Sequence, residues 1–378
     1  MTHMTSRLAV SLLFFCLILA SPRLGTADAP RPTRLLAPSE NALVHAPDLL
    51  LVYTVAAGTG VVYQVNGQPA ALADTVVPGN DEDLHHVRLL LEEGPHEIRV
   101  LAAADERELL RVAATYIPPY STRTAALSRA KPYAFHGRER EATCSGCHSL
   151  PEVFETQGDR PFSPVGKVCG ACHPRVERHA SLHGPVAVYS CFMCHEPEYR
   201  PTRFTQKSSQ AGLCSTCHEG FLAKVLGNHR FVHGPLAAGG CLVCHDPHGG
   251  PTPSLVREDT TTLCLHCHSQ TIPLPVERSL HGKVACTQCH NPHGGATVML
   301  TSAEGNAFCG RCHPDVAQTT AGHPIAGHPV EGSTDPSRPG RRLGCDSCHT
   351  AHSQRDVSKQ NISENVGAQR QFCRRCHY

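Results

Sequence analysis

The sequence has no tryptophan, only 4 methionines, and aromatics at 5% of its 378 residues. With 31 Gly and 30 Pro as well, most of the chain lacks the material for a large apolar core. Charge of one sign is also missing: 34 Lys and Arg face 33 Asp and Glu, which excludes the basic field that nucleic acid requires. The longest apolar run, Leu8 to Ala20, falls short of the roughly 20 residues of a spanning helix, and no later stretch replaces it.

That run belongs to a secretory leader over 1–29. Arg7 supplies the n-region, and Ala27-Asp28-Ala29 is an A-x-A cleavage site, so the mature chain is expected to start at Pro30, with no transmembrane segment. Cys16 goes with the leader, and twenty cysteines remain.

All twenty sit in C-x-x-C pairs followed at once by His, ten pairs with none left over. The cysteines are Cys144 and Cys147, Cys169 and Cys172, Cys191 and Cys194, Cys214 and Cys217, Cys241 and Cys244, Cys264 and Cys267, Cys286 and Cys289, Cys309 and Cys312, Cys345 and Cys348, and Cys373 and Cys376. The histidines are His148, His173, His195, His218, His245, His268, His290, His313, His349 and His377. C-x-x-C-H is a c-type haem attachment site: the thiols form thioethers with the haem vinyl groups and the His is the proximal iron ligand. A zinc site or a disulfide scaffold uses C-x-x-C pairs too, but neither requires a His after every pair. The expected cofactor is therefore ten covalent c-type haems.

The motifs recur every 22 to 28 residues apart from one 36-residue step, and they group into five doublets with a period of 45 to 59. Such repetition signals an array. Distal iron ligands are sought at recurring places. His136, His183 and His233 each stand eight residues before a doublet, and His281 five before. His248, His293 and His352 follow a proximal His by three, where the first two doublets hold Pro151 and Glu198. His179, His229, His323 and His328 complete eleven candidates for ten irons. Two haems, on this count, draw ligands from elsewhere than the repeat. The couples His179/His183 and His229/His233 would share a face on a short helix that Gly184 and Gly234 end. With Met193 and Met299 the only mature methionines, bis-histidine ligation at low potential is expected. His266, inside its own motif, is assigned a structural role.

From residue 136 to 378 there are about 24 residues per haem, too few to wrap each macrocycle, so the haems themselves are expected to form the core. Short helices separated by HGP, DPHGG and DPSRPG loops should carry the motifs, and long helices are not expected. Loss of 1–29 leaves 32 charges of each sign, and each ferric haem adds about −1 through its propionates.

Residues 30–118 hold no cysteine and change to strand vocabulary: 49–55, 61–65 before Asn66-Gly67, 86–91, 96–103 and 109–117. This is an all-β sandwich that resembles an immunoglobulin-like domain. Its His45, His85, His86 and His96 are read as surface residues. A linker at 119–135 leads to the haem array at 136–378.

The stretches His233–His268 and His281–His313, HGP…CxxCHxPHGG…LCxxCH in outline, resemble the multihaem c-type cytochromes with doubled CxxCH motifs. Ten motifs on one exported chain are similar to the decahaem cytochromes of anaerobic respiratory chains, including the periplasmic partners of porin conduits. The resemblance implies electron relay from an inner-membrane, quinol-linked donor to an outer-membrane or extracellular acceptor, with the periplasm the first compartment and an outer-membrane or extracellular place the alternative. It implies an electron-transfer protein rather than an enzyme. The competing readings are a reductase of nitrite, hydroxylamine or a sulfur oxyanion with one open haem, and the subunit of an extracellular filament.

Overall fold

The computed structural model describes residues 32–119, 121, 130–145, 169–170, 173–270, 272, 281–318, 328–349, 351–352 and 374. The leader lies outside them, as do Cys147, His148, Cys172, His323, Cys373, Cys376 and His377.

Alternation of apolar and polar residues builds the first region. In β3 (Asp48–Ala56) and β7 (Glu82–Leu90), Leu49, Leu51, Tyr53, Val55, Val87 and Leu89 point inward. They meet Ile98 and Val100 of β8 (Gly94–Ala102) and Val112 and Ala114 of β9 (Glu108–Tyr116) in one core. Four strands in the order β1-β3-β7-β6 form one layer, with β1 at Arg34–Ala37 and β6 at Ala73–Val77. The other layer runs β10-β2-β9-β8-β4-β5, with β2 at Ala42–Val44, β4 at Val61–Val65, β5 at Gln68–Ala70 and β10 at Lys131–Pro132. Asn66 and Gly67 turn β4 into β5 with positive φ at both, 52° and 76°, as a two-residue hairpin demands.

Two sequence expectations change here. Lys131–Pro132, assigned to the linker, pairs in parallel with β2, because Lys131 N–H reaches the Asn41 carbonyl. His85 is not on the surface. The strand period turns it inward with Asp83 and Val87, where it stacks on Tyr53 at 4.9 Å and donates Nδ1–H to Asp74 at 2.7 Å. Asp74 also takes the Tyr63 hydroxyl, which bonds the Tyr53 hydroxyl at 2.8 Å. Burial raises the Tyr53 and Tyr63 phenols far above their ordinary range, so both stay neutral donors.

From residue 138 onward the elements are short: α1 (Arg138–Cys144), α2 (Gly184–Ala187), α3 (Gln210–Asn228), α4 (Gly234–Ala237), α5 (Thr260–His268) and later four- and five-residue turns of helix. α3, at 19 residues, exceeds the expected length, but His218 breaks its geometry (φ −107°, ψ 25°), so it is two helices joined at a motif. Only Val225 among the described residues of this region is a buried hydrophobic. No helix among the described residues is long and apolar enough to cross a membrane.

Candidate haem sites

No disulfide joins any of the sixteen described motif cysteines. No three His, Cys, Asp or Glu side chains among the described residues converge as a structural zinc site needs. Instead, histidines come in twos. Seven motif histidines each face one of the distal candidates: His173 and His136 at 6.2 Å between ring centres, His195 and His248 at 6.1 Å, His218 and His183 at 6.2 Å, His245 and His293 at 6.0 Å, His268 and His233 at 6.1 Å, His290 and His352 at 5.9 Å, and His313 and His281 at 6.1 Å. Two imidazoles that each place a nitrogen about 2 Å from a shared metal have ring centres about 6 Å apart. The spacing and the donor chemistry thus fit an iron with two axial histidines beside a pair of thioether-forming thiols.

The hydrogen bonds select the nitrogen. His195, His245 and His290 each direct Nδ1 at the carbonyl nine residues on: Phe204 at 2.6 Å, Ser254 at 2.9 Å and Met299 at 2.6 Å. On the opposing side, Nδ1 of His183 meets the Pro247 carbonyl at 2.9 Å, His248 meets Asp246 at 3.0 Å, and His136 meets Glu141 at 3.0 Å. These oxygens accept, so each Nδ1 carries and donates the proton, and Nε2 keeps the lone pair a metal needs. Burial holds His136, His173, His195, His233, His293 and His352 below the ordinary imidazole value, which keeps them in the neutral, ligating form.

The motif thiols from Cys194 to Cys345 also neighbour one another in sequence order. Cys194 and Cys217, Cys244 and Cys267, and Cys289 and Cys312 are electrostatic neighbours within doublets. Between doublets, Cys214 reaches Cys241, Cys264 reaches Cys286, and Cys309 reaches Cys345 by hydrogen bonds.

Residues 183–223, 233–272 and 280–318 match the doubled CXXCH motif. These matches support a multihaem c-type cytochrome with covalent haem and an electron-transfer role. No curated protein matches the chain. Among solved structures, the crystal structure of the Lin-41 filamin domain is similar over 24% of this chain and 95% of its own, at 8% identity and a TM-score of 0.18, a likeness too low to carry an argument.

Each doubled-motif segment contains one facing couple of its own, His183/His218, His233/His268 or His281/His313. The couples His195/His248 and His245/His293 join one segment to the next. The joint is a strand pairing that local sequence does not announce. Ser181–Leu182 (β11) pairs with Gly249–Gly250 (β13), and Phe231–Val232 (β12) with Gly294–Gly295 (β14). His183 N–H donates to the His248 carbonyl at 3.0 Å, and His233 repeats this on His293 at 3.4 Å. His179/His183 and His229/His233 therefore flank strands rather than share a helix face. Gly184 and Gly234 begin helices instead of ending them, since Pro185 and Pro235 occupy the first turn, where a missing N–H costs nothing.

His179 and His229 face no motif histidine in the seven couples. They lie beneath the glycines of the joint: a Cβ on Gly249 would meet His179 Cβ at 2.5 Å and the Ser181 carbonyl at 2.6 Å, and one on Gly294 would meet His229 Cβ at 2.8 Å. Gly249→Ala is therefore expected to part β11 from β13, destabilise the holoprotein by about 1–3 kcal/mol, and disturb the low-spin EPR signal of one haem. An unchanged melt and spectrum would count against this joint. His266 bonds Glu258 at 2.6 Å, consistent with a structural role. His328 has Nδ1 3.2 Å from the Pro329 carbonyl, and His349 N–H donates to Cys345 O at 2.9 Å. His323 and the motif at Cys373 are expectations that fall on residues outside the described set.

Proposed function

We propose that the chain is an exported decahaem c-type cytochrome that relays single electrons along a row of haems ordered as the motifs are. Each of the seven facing histidine couples holds one iron, and the remaining motifs carry haem on the same chemistry. The observation that carries the reading is the order of the motif thiols from Cys194 to Cys345, which are electrostatic neighbours within doublets and hydrogen-bonded neighbours between them. Thiols that adjoin become thioethers that adjoin, so neighbouring macrocycles are in reach for electron transfer. When bound, haem supplies a one-electron couple that axial ligands set over roughly 0.8 V. The chain's own residues fix the ligating nitrogens and hold the ligand tautomers.

The donor would be quinol-linked at the inner membrane and the acceptor at or beyond the outer membrane, with the protein in the periplasm. The immunoglobulin-like sandwich spaces or docks the haem row. The test is intact-mass spectrometry joined to a spectroscopic redox titration. Ten haem equivalents and a broad series of low potentials are expected. A mass short by several haems, or one sharp wave at a high potential, would refute the reading.

A further inference from the structure

In three doublets, the distal histidine of the second iron bonds the carbonyl of the residue just before the distal histidine of the first. His183 Nδ1 meets the Pro247 carbonyl at 2.9 Å, His233 bonds the Pro292 carbonyl, and His281 Nδ1 meets the Ala351 carbonyl at 3.4 Å. The residues that follow those carbonyls are His248, His293 and His352, which face His195, His245 and His290. Both distal ligands of a doublet therefore meet at one peptide group.

The other side of that peptide is engaged as well. Its N–H belongs to His248 and donates to Asp246 Oδ1 at 3.0 Å, and the same oxygen accepts from His248 Nδ1 at 3.0 Å. The bonds form a continuous chain. It runs from His183 Nδ1–H to the Pro247 carbonyl, across the amide to the His248 N–H, on to Asp246 Oδ1, and back to the His248 ring. The next doublet repeats the N–H step on a neutral acceptor, with His293 N–H donating to Asn291 Oδ1 at 3.1 Å. An amide is one resonant unit, so a stronger bond at its carbonyl makes its N–H a stronger donor, and hydrogen bonds in a chain polarise one another. The pairing of β11 with β13, with His183 N–H on the His248 carbonyl at 3.0 Å, holds the two ligands in this relation.

We propose that the Pro247–His248 peptide, with Asp246 at its end, couples the two irons of the doublet that opens at Cys191, so that reduction of one opposes reduction of the other. Each iron passes from ferric to ferrous by one electron from the neighbouring haem. Reduction of the iron behind His183 lessens the pull on that imidazole, and its Nδ1–H becomes a weaker donor to Pro247. The peptide is then less polarised, and its N–H gives less to Asp246. The carboxylate oxygen turns to His248 Nδ1, which makes His248 a stronger ligand and favours its iron ferric. Such a doublet fills one electron at a time, which suits a relay of single electrons. Asp246 is a positioning residue here, acting through His248 and the peptide. The proposal rests on the relay reading and deepens it by naming what regulates one doublet.

The experiment is EPR of the fully oxidised holoprotein, in which every iron carries the same charge, with intact mass to count haem. His248→Met and His183→Met each replace one bis-histidine low-spin signal and so identify the two irons of the doublet. Asp246→Asn, which gives this doublet the acceptor the next one already has, is expected to shift the g-values of both signals, that of the His248 iron more. A charge lost at a distance moves potentials, whereas g-values follow the ligands and their hydrogen bonds. A redox titration of Asp246→Asn should also bring the two potentials of the doublet closer together than in the native protein. With haem count unchanged, a shift confined to the His248 signal, or no shift at all, overturns the coupling and leaves the ligand assignment standing. Methionine variants that keep ten haems and replace no low-spin signal overturn the assignment and the proposal with it.

Discussion

Made in cells that cannot attach haem, the chain is expected to keep its β-region folded and to lose all ordered structure in 173–349. The cause is where the apolar burial lies. Every buried hydrophobic of the described residues stands between Ala37 and Ala114 except Val225. The sandwich has its own core of Leu49, Leu51, Tyr53, Val87, Ile98, Val100 and Val112, each 2% exposed or less. Burial of this kind contributes about 1.5–3 kcal/mol per large side chain. The motif region has helices of four to nine residues, apart from kinked α3, and such lengths are marginal in water without packing. Ten macrocycles would supply the apolar surface that the side chains do not, and folding is then coupled to attachment as in small metal-dependent domains. Hydrogen exchange on haem-free protein should show slow amides in β3, β7, β8 and β9 and none in 210–268. Slow amides in α3 or α5 would overturn the account.

The second large effect is expected at His248. On the proposed assignment His248→Met keeps six ligands and low spin, and raises one haem potential by on the order of 0.1 V, a fraction of the roughly 0.8 V that axial ligands span. His248→Ala instead opens the iron and turns about a tenth of the total high-spin. The supporting residue is Asp246, which holds Nδ1 of His248 at 3.0 Å and pairs with Arg257 at 3.6 Å. Its hydrogen bond to His248 keeps the Asp246 carboxyl down at about 2 despite burial, so it stays ionised at neutral pH. An ionised acceptor on the far nitrogen makes the imidazole a stronger donor to metal. Asp246→Asn should therefore raise the same potential by less than His248→Met does. A redox titration in which neither variant moves any wave would remove His248 from the ligand set.

Parts of this protein were legible in one dimension because their cause is local. A thioether needs a thiol at a fixed offset from its proximal His, so ten C-x-x-C-H motifs announce themselves without a fold. Long strands such as β3, β7, β8 and β9 show as alternation, and Asn66-Gly67 as the turn only such residues make. The three-residue strands β2 and β5 carry too few positions to show a period. His85 was misplaced because composition says nothing of strand parity.

What the sequence determined by itself is the covalent chemistry: where haem is attached, which nitrogen-bearing residue follows it, and that methionine is too scarce to compete. What the tertiary structure decided is which distal candidate faces each of seven motif histidines. Eleven candidates stood open until strands from separate doublets paired, β11 on β13 and β12 on β14, bringing His248 to His195 and His293 to His245. The same pairing tucked His179 and His229 beneath the glycines of the joint. Axial coordination needs two rings about 6 Å apart on one axis, a relation between residues dozens of positions apart, and only the backbone joint between repeats sets that distance.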